Sequence, residues 1–281
     1  KQRLCDLLKV TQLPPDVYAV FKNVTKFCFF ELKSLLMLNG LEDTIQGRKI
    51  LNNKSRVLLP ETFRTNKNIV LPNPRGNMGV PQGSPISATL ANIYMLDADK
   101  AINEYVSSQN GFYMRYSDDF IIILPDISQS CFEKQYKWIT SELKTIPNVN
   151  LNEKKTKLFY VASDAVKNCT HQFIPSMENG KDIIDFLGFS FDGKSITIRD
   201  KTISKYYHRL YRKIRTITKN GGFTPSGKHI SCEKLYEKYS YKGSLSYLRK
   251  QATKHNNIIV DKRKAKGNYY IIMLGSLLSK I

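Results

Sequence analysis

Residues 112–124 constrain this chain more than any other stretch. Residues 112–116 are aromatic-rich, residues 120–124 read Phe-Ile-Ile-Ile-Leu, and Asp118 and Asp119 stand between them. A short continuous apolar run suits a strand buried on both faces. Aspartate is avoided by strands and accepted by turns. The pattern therefore predicts two strands meeting at a tight turn, with two adjacent carboxylates at its lip. A solvated hairpin turn accounts for such a pair, and so does a divalent-metal site. Hard cations such as Mg²⁺ take oxygen ligands, and two ions about 3.5–4 Å apart can clamp the attacking and leaving oxygens of phosphoryl transfer. The pair alone does not choose between these.

Charge narrows the choice. Lys and Arg outnumber Asp and Glu by 44 to 24, a net +20 in 281 residues. Residues 201–281 carry 19 basic side chains against Glu233, Glu237 and Asp261, which is +16 of that excess. A basic end on a nearly balanced body implies a polyanionic partner, nucleic acid first. No apolar run approaches a membrane span, and no basic amphipathic terminus favours a membrane surface. The five cysteines are scattered without a Cys-x-x-Cys pair, which fits free thiols in a reducing cytoplasm. Cys169 and His171 lie close together but lack a second ligand pair, which argues against zinc.

Taken in order, residues 1–37 read as helical around a break at residues 13–16, with Asp16 as a cap for a helix continuing from Val17 to Leu36. Residues 39–75 read as a polar, irregular connection with a short strand at 69–71. Gly79 and Gly83 bracket Pro81-Gln82 in a turn that can approach a ligand closely. Ser84-Pro85 then starts a helix to about Val106, with Ile86, Leu90, Ile93 and Leu96 inward. A further helix is expected over 131–146, then strands at 148–151 and 156–162 around the loop Asn152-Glu-Lys-Lys155. Residues 183–198 alternate and turn at Asp192-Gly193, the dipeptide of two-residue hairpins. Residues 201–281 read as three or four basic helices, with tyrosines interleaved as in surfaces that follow a phosphate backbone.

These stretches, in this order, resemble the palm and thumb of a bacterial reverse transcriptase of the group II intron, retron and phage-defence type. Gly79-Val-Pro-Gln-Gly-Ser-Pro-Ile-Ser-Ala-Thr-Leu-Ala-Asn-Ile-Tyr94 is similar to the family's motif B and Tyr116-Ser-Asp-Asp119 to motif C. Leu151-Asn-Glu-Lys-Lys-Thr156 is similar to motif D, and Phe186-Leu-Gly-Phe189 to the motif E primer grip.

The resemblance implies an α+β fold: a right-hand palm, built of an antiparallel sheet with packed helices, followed by an α-helical thumb. A partial palm would span 1–200, with the polar insertion at 39–75, and the thumb 201–281. It also implies RNA-directed DNA polymerisation with Mg²⁺ or Mn²⁺ held by Asp118 and Asp119. Lys155 would protonate the leaving pyrophosphate. Pro81, Gln82, Gly83 and Ser84 would line the nucleotide and template base, and Phe186, Leu187, Gly188 and Phe189 would hold the primer end. Arg115 would contact nucleic acid or pair with an acid under the hairpin.

The implied partners are an RNA template, a DNA or RNA primer, dNTPs and a dedicated non-coding RNA. Motif A, with a third catalytic carboxylate and an aromatic gate, has no counterpart in residues 1–78, and the basic fingers are missing too. Asp16 and Phe21 are the nearest imitation, but they follow Leu13-Pro-Pro15, where no buried strand forms. The expectation is that the fingers and the third acid come from a preceding region or another chain. A non-catalytic RNA-binding or assembly module of the same fold, and a template-independent DNA polymerase, are the alternatives.

Overall fold

The computed structural model describes residues 1–72, 79–81, 83–147, 149–162, 165–224, 227–240, 243–262 and 268–277. They form two compact units, the first mainly Lys1–Asp99 and the second Lys100–Ser276.

The first unit is mostly short helices: α1 (Gln2–Leu8), α2 (Pro15–Thr25), α3 (Leu32–Leu38), α4 (Ile45–Asn52), α5 (Pro60–Thr65) and the first part of α6 (Pro85–Ser108). A two-stranded antiparallel ribbon joins β1 (Cys28–Phe30) to β2 (Val70–Pro72), with Phe29 opposite Leu71. The strand expected near 69–71 thus exists, but β1 interrupts the helix expected from Val17 to Leu36. Cys-Phe-Phe is better satisfied by ladder pairing than by a helix whose last turn has already closed on Lys26. Asp16 is not the cap of α2. Pro14 holds that place with Pro15 behind it, and Asp16 lies in the first turn, where its charge complements the helix dipole. The connection expected to be irregular contains α4 and α5. The Thr44 hydroxyl caps α4 by accepting the Gly47 N–H at 3.1 Å.

Helix α6 runs as expected from Pro85, but its inward stripe differs. Leu96 is 43% exposed, whereas Met95, Ala98, Ile102 and Val106 are buried at helical spacing. Arg3 ties α1 to α6 through the carbonyls of Ile93 and Tyr94 and the Asp97 carboxylate.

The second unit is organised on an antiparallel sheet. Its strands are β3 (Phe112–Tyr116), β4 (Asp119–Pro125), β5 (Asn150–Leu151), β6 (Lys157–Ala162), β7 (Ala165–Asn168) and, from the far end of the chain, β11 (Tyr269–Leu277). The order is β3-β4-β11-β6-β7, with β5 also paired to β11. A second sheet comprises β8 (Ile184–Phe186), β9 (Phe189–Phe191) and β10 (Ile196–Ile198).

Helix α7 (Gln129–Lys144) covers one face of the large sheet. Phe132 stacks on Tyr270 of β11 at 4.1 Å between ring centroids, and Trp138 stacks on Tyr105 of α6 at 3.9 Å. The small sheet covers the other face, where Ile184 joins Phe159, Val166 and Ile271 in a buried cluster with Ile121 and Ile123 against it. The 120–124 run is accordingly covered on both faces but unevenly: Phe120, Ile122 and Leu124 are buried, Ile121 and Ile123 half-buried. Gly111, between α6 and β3, has no room for a side chain. A Cβ there would stand 2.6 Å from the Ile123 carbonyl oxygen.

Beyond a one-turn helix α8 (Thr170–Phe173), the chain after the small sheet forms α9 (Asp200–Lys219), α10 (Cys232–Tyr239) and α11 (Ser244–Lys262). Tyr206 of α9 packs on Tyr239 and donates its hydroxyl to the Lys238 carbonyl at 2.8 Å, while Tyr211, Tyr236 and Tyr247 are exposed. The expectation of helices alone after residue 201 fails at β11. Tyr-Tyr-Ile-Ile-Met-Leu is a β-branched and aromatic run that fills the centre of the large sheet.

Candidate active site

The acid pair sits where the sequence places it. Tyr116 pairs with Asp119, so Ser117 and Asp118 form a two-residue turn and Asp119 opens β4. Ser117 has φ +57°, a left-handed conformation that turns usually give to glycine. Arg115 holds this turn, its Nη1 donating to the Ser117 carbonyl oxygen at 2.8 Å. A non-glycine residue fixed in this region next to two carboxylates is the kind of local strain that gathers at functional sites.

Lys155 comes to the acids from a short 3₁₀ turn, Glu153–Lys155, between β5 and β6. Its Nζ lies 3.8 Å from Asp118 Oδ2, and both side chains are about half exposed. Strand β11 lies between, with Gly275 opposite Asp119.

Burial first, and then the Asp118 charge, hold the Asp119 carboxyl above the usual aspartate range; Lys155 and Arg199 pull it partly back. Two like charges at one turn repel, and a divalent cation relieves that repulsion with the oxygen donors it prefers. In kind, the donor set fits Mg²⁺. Among the described residues no group of three His, Cys, Asp or Glu side chains could hold a metal ion, so there the two carboxylates stand without a third ligand of these kinds.

The Phe186–Phe189 segment is a second hairpin. Phe186 pairs with Phe189 across a turn of Leu187 and Gly188, both at positive φ (+47° and +89°), the signature of a type I′ turn. The two-residue turn is therefore here and not at Asp192-Gly193. There, Phe191 pairs with Ile196 over a four-residue connection closed by Asp192 Oδ1, which accepts the Lys194 and Ser195 N–H groups.

Pro81, Gly83 and Ser84 belong to the first unit, where the Pro81 carbonyl accepts the Ser87 hydroxyl at 2.6 Å. Gln82 lies outside the described residues. Sequence reasoning missed Arg199, which pairs with Asp185 at 2.9 Å. Its spacing from any acid carries no recognisable period, so only the fold reveals the pairing.

An antiparallel sheet faced by helices, with paired carboxylates at a hairpin lip and cations beside them, defines an α+β protein suited to a hard cation and an anionic substrate. The family model described as reverse transcriptase (RNA-dependent DNA polymerase) matches residues 43–191, more than half of the chain. The chain belongs to that family. No curated protein gives a match to it. Among the described residues, no helix is long and apolar enough to cross a membrane.

Proposed function

We propose that this chain is the palm and thumb portion of an RNA-directed DNA polymerase of the group II intron, retron or phage-defence type. In this reading the palm comprises residues 1–200 together with strand β11, and the thumb lies within 201–262. The grouping of Asp118, Asp119 and Lys155 inside the segment that matches the family carries the reading.

The primer 3′ hydroxyl, giving up its proton to solvent, attacks the α-phosphorus of a dNTP in line, forming a P–O bond as the P–O bond to pyrophosphate breaks. Asp118 and Asp119 would hold the divalent metal, which supplies charge neutralisation at the attacking and leaving oxygens. Lys155, an ammonium with three N–H donors, is positioned beside Asp118 to give a proton to the departing pyrophosphate. Arg115 keeps the turn, and so the Asp118 carboxylate, in one place. The turn at Leu187 and Gly188 presents backbone to the primer end, while Pro81, Gln82, Gly83 and Ser84 line the nucleotide and template base. The basic, tyrosine-bearing face of α9 follows the strand's phosphates. A non-coding RNA and a role in antiviral defence belong to the same proposal.

The test supplies Mg²⁺, dNTPs and a primed RNA template to the wild type and to Asp118→Ala. The variant should lose more than about 100-fold in extension, since even outer-shell changes at metal sites cost about 10–100-fold. RNA binding without any synthesis by the wild type would replace this reading with a non-catalytic binding module.

A further inference from the structure

One cleft in the first unit has no part in the polymerase reading. Phe30 of β1, Leu35 of α3, Leu58, and Pro60 and Phe63 of α5 wall a cavity of about 400 Å³. Phe30 and Phe63 meet edge to face, with ring centroids 6.0 Å apart. Phe63 and Leu59 are exposed at α5 and its cap, and Phe29 and Leu71 are exposed on the ribbon. Large apolar side chains left in water around a cleft mark an interaction surface. Among the described residues, Arg56 is the one charged side chain on the cleft wall. Its neighbours are engaged, Arg48 with Asp43 and Lys54 with Asn39, whereas Arg56 meets no carboxylate among the described residues.

The backbone beside the cleft is incomplete as a sheet. β1 pairs with β2 and with no other strand among the described residues, and its Cys28 and Phe29 are exposed. β2 ends in Pro72, which has no N–H, whereas every residue of β1 carries one. Residues directly opposite in a ladder point to the same face. A strand added along the outer edge of β1 therefore brings the side chain opposite Phe30 to the face that carries the cleft. Its residues two positions away stay on that face. Extended peptides use such an edge for affinity and a pocket for selectivity. Nucleic acid fits less well, because the five apolar walls would leave the polar edge of an inserted base unpaired. A leucine or phenylalanine side chain meets no such cost. Residues 45–67 carry Arg48, Lys49, Lys54, Arg56, Arg64 and Lys67 against Glu61 alone, which selects an acidic peptide.

We propose that this cleft and the outer edge of β1 bind an extended acidic peptide of a partner protein. One large apolar side chain fills the cleft, and a carboxylate two residues away meets Arg56. The test pans a phage-displayed library of random heptapeptides against the full chain and synthesises the enriched sequence with a fluorophore. An acid two residues from a large apolar residue should be enriched. In anisotropy titrations Phe63→Ser and Arg56→Glu should each weaken this peptide about 10-fold or more. A peptide with lysine in place of the acid should recover affinity for Arg56→Glu. N-methylation at alternate residues should abolish binding in one series and spare it in the other, because only every second amide of an added strand faces β1.

Absence of an enriched pattern would overturn the proposal. So would an enriched peptide that binds both variants like the wild type, or equal tolerance of the two N-methylated series. Labelled single-stranded RNA that weakens in both variants, with no peptide enriched, would give the cleft to nucleic acid instead. If Phe63→Ser fails to fold, Arg56→Glu, at an exposed position, carries the test with the charge-reversed peptide. Primer extension is not a readout in any arm, so the outcome is independent of the polymerase reading.

Discussion

Lys155 Nζ stands 3.8 Å from Asp118 Oδ2, although Asp118 lies in the turn before β4 and Lys155 in the 3₁₀ turn before β6, 37 residues further along the chain. Strand β11 separates β4 from β6 in the sheet, so the pairing joins turns at the ends of two strands that are not neighbours. The cation and the acids therefore form one electrostatic unit built from two separate parts of the chain.

One consequence is measurable without metal. Lys155 lowers the proton affinity of Asp119, which burial and Asp118 raise. Lys155→Met should therefore move the Asp119 carboxyl still further above the usual aspartate range. A side-chain carboxyl NMR titration reads this directly. A titration that stays in place, or moves down, would separate Lys155 from the acid pair.

Stability should move the other way at Asp119. Its carboxyl holds a proton more tightly folded than unfolded, so the folded state binds more protons in the pH interval just above the ordinary aspartate value. Stability therefore falls as pH rises through that interval. Asp119→Asn removes the penalty. It should raise Tm near neutral pH by about 1–2 °C, a modest figure because the site is partly solvated. The gain should disappear below the ordinary aspartate range. Mg²⁺ should raise the Tm of the wild type and leave this variant nearly unchanged. Calorimetry at several pH values, with and without Mg²⁺, checks both effects.

The central strand can be tested by a single core substitution. Ile272 is fully buried, paired to Ile122 on one side and Leu158 on the other. Ile272→Ala should lower unfolding free energy by about 2–5 kcal/mol, seen as a fall in the urea midpoint at unchanged slope. A shift under about 0.5 kcal/mol, the scale of surface substitutions, would place this residue outside the core.

The Asp-Asp hairpin was legible because its signals are local: an aromatic strand, two turn-forming acids and an apolar strand in twelve or so residues. The same holds for Pro85 starting α6 and for the loop carrying Lys155. What the sequence hid depends on contacts between distant segments. Residues 269–277 read as part of a helical tail because a short apolar run has no period that distinguishes strand from buried helix. Only the gap between β4 and β6 decides it. The two-residue turn went to Asp192-Gly193 on dipeptide preference, yet Leu187-Gly188 takes it because Phe186 and Phe189 pair across it. Arg199 carried no motif at all, and its link to Asp185 depends on the register of β8, β9 and β10.

The most direct measurement asks whether the nucleotide added follows the template. The wild-type protein, with Mg²⁺ and a labelled primer on an RNA template, is given each dNTP singly, and the first unpaired template base is varied through all four. The account predicts that only the complementary dNTP is added in each case, and that Asp118→Ala adds none. Addition of the same nucleotide whatever the template base, or no addition by the wild type, would contradict it.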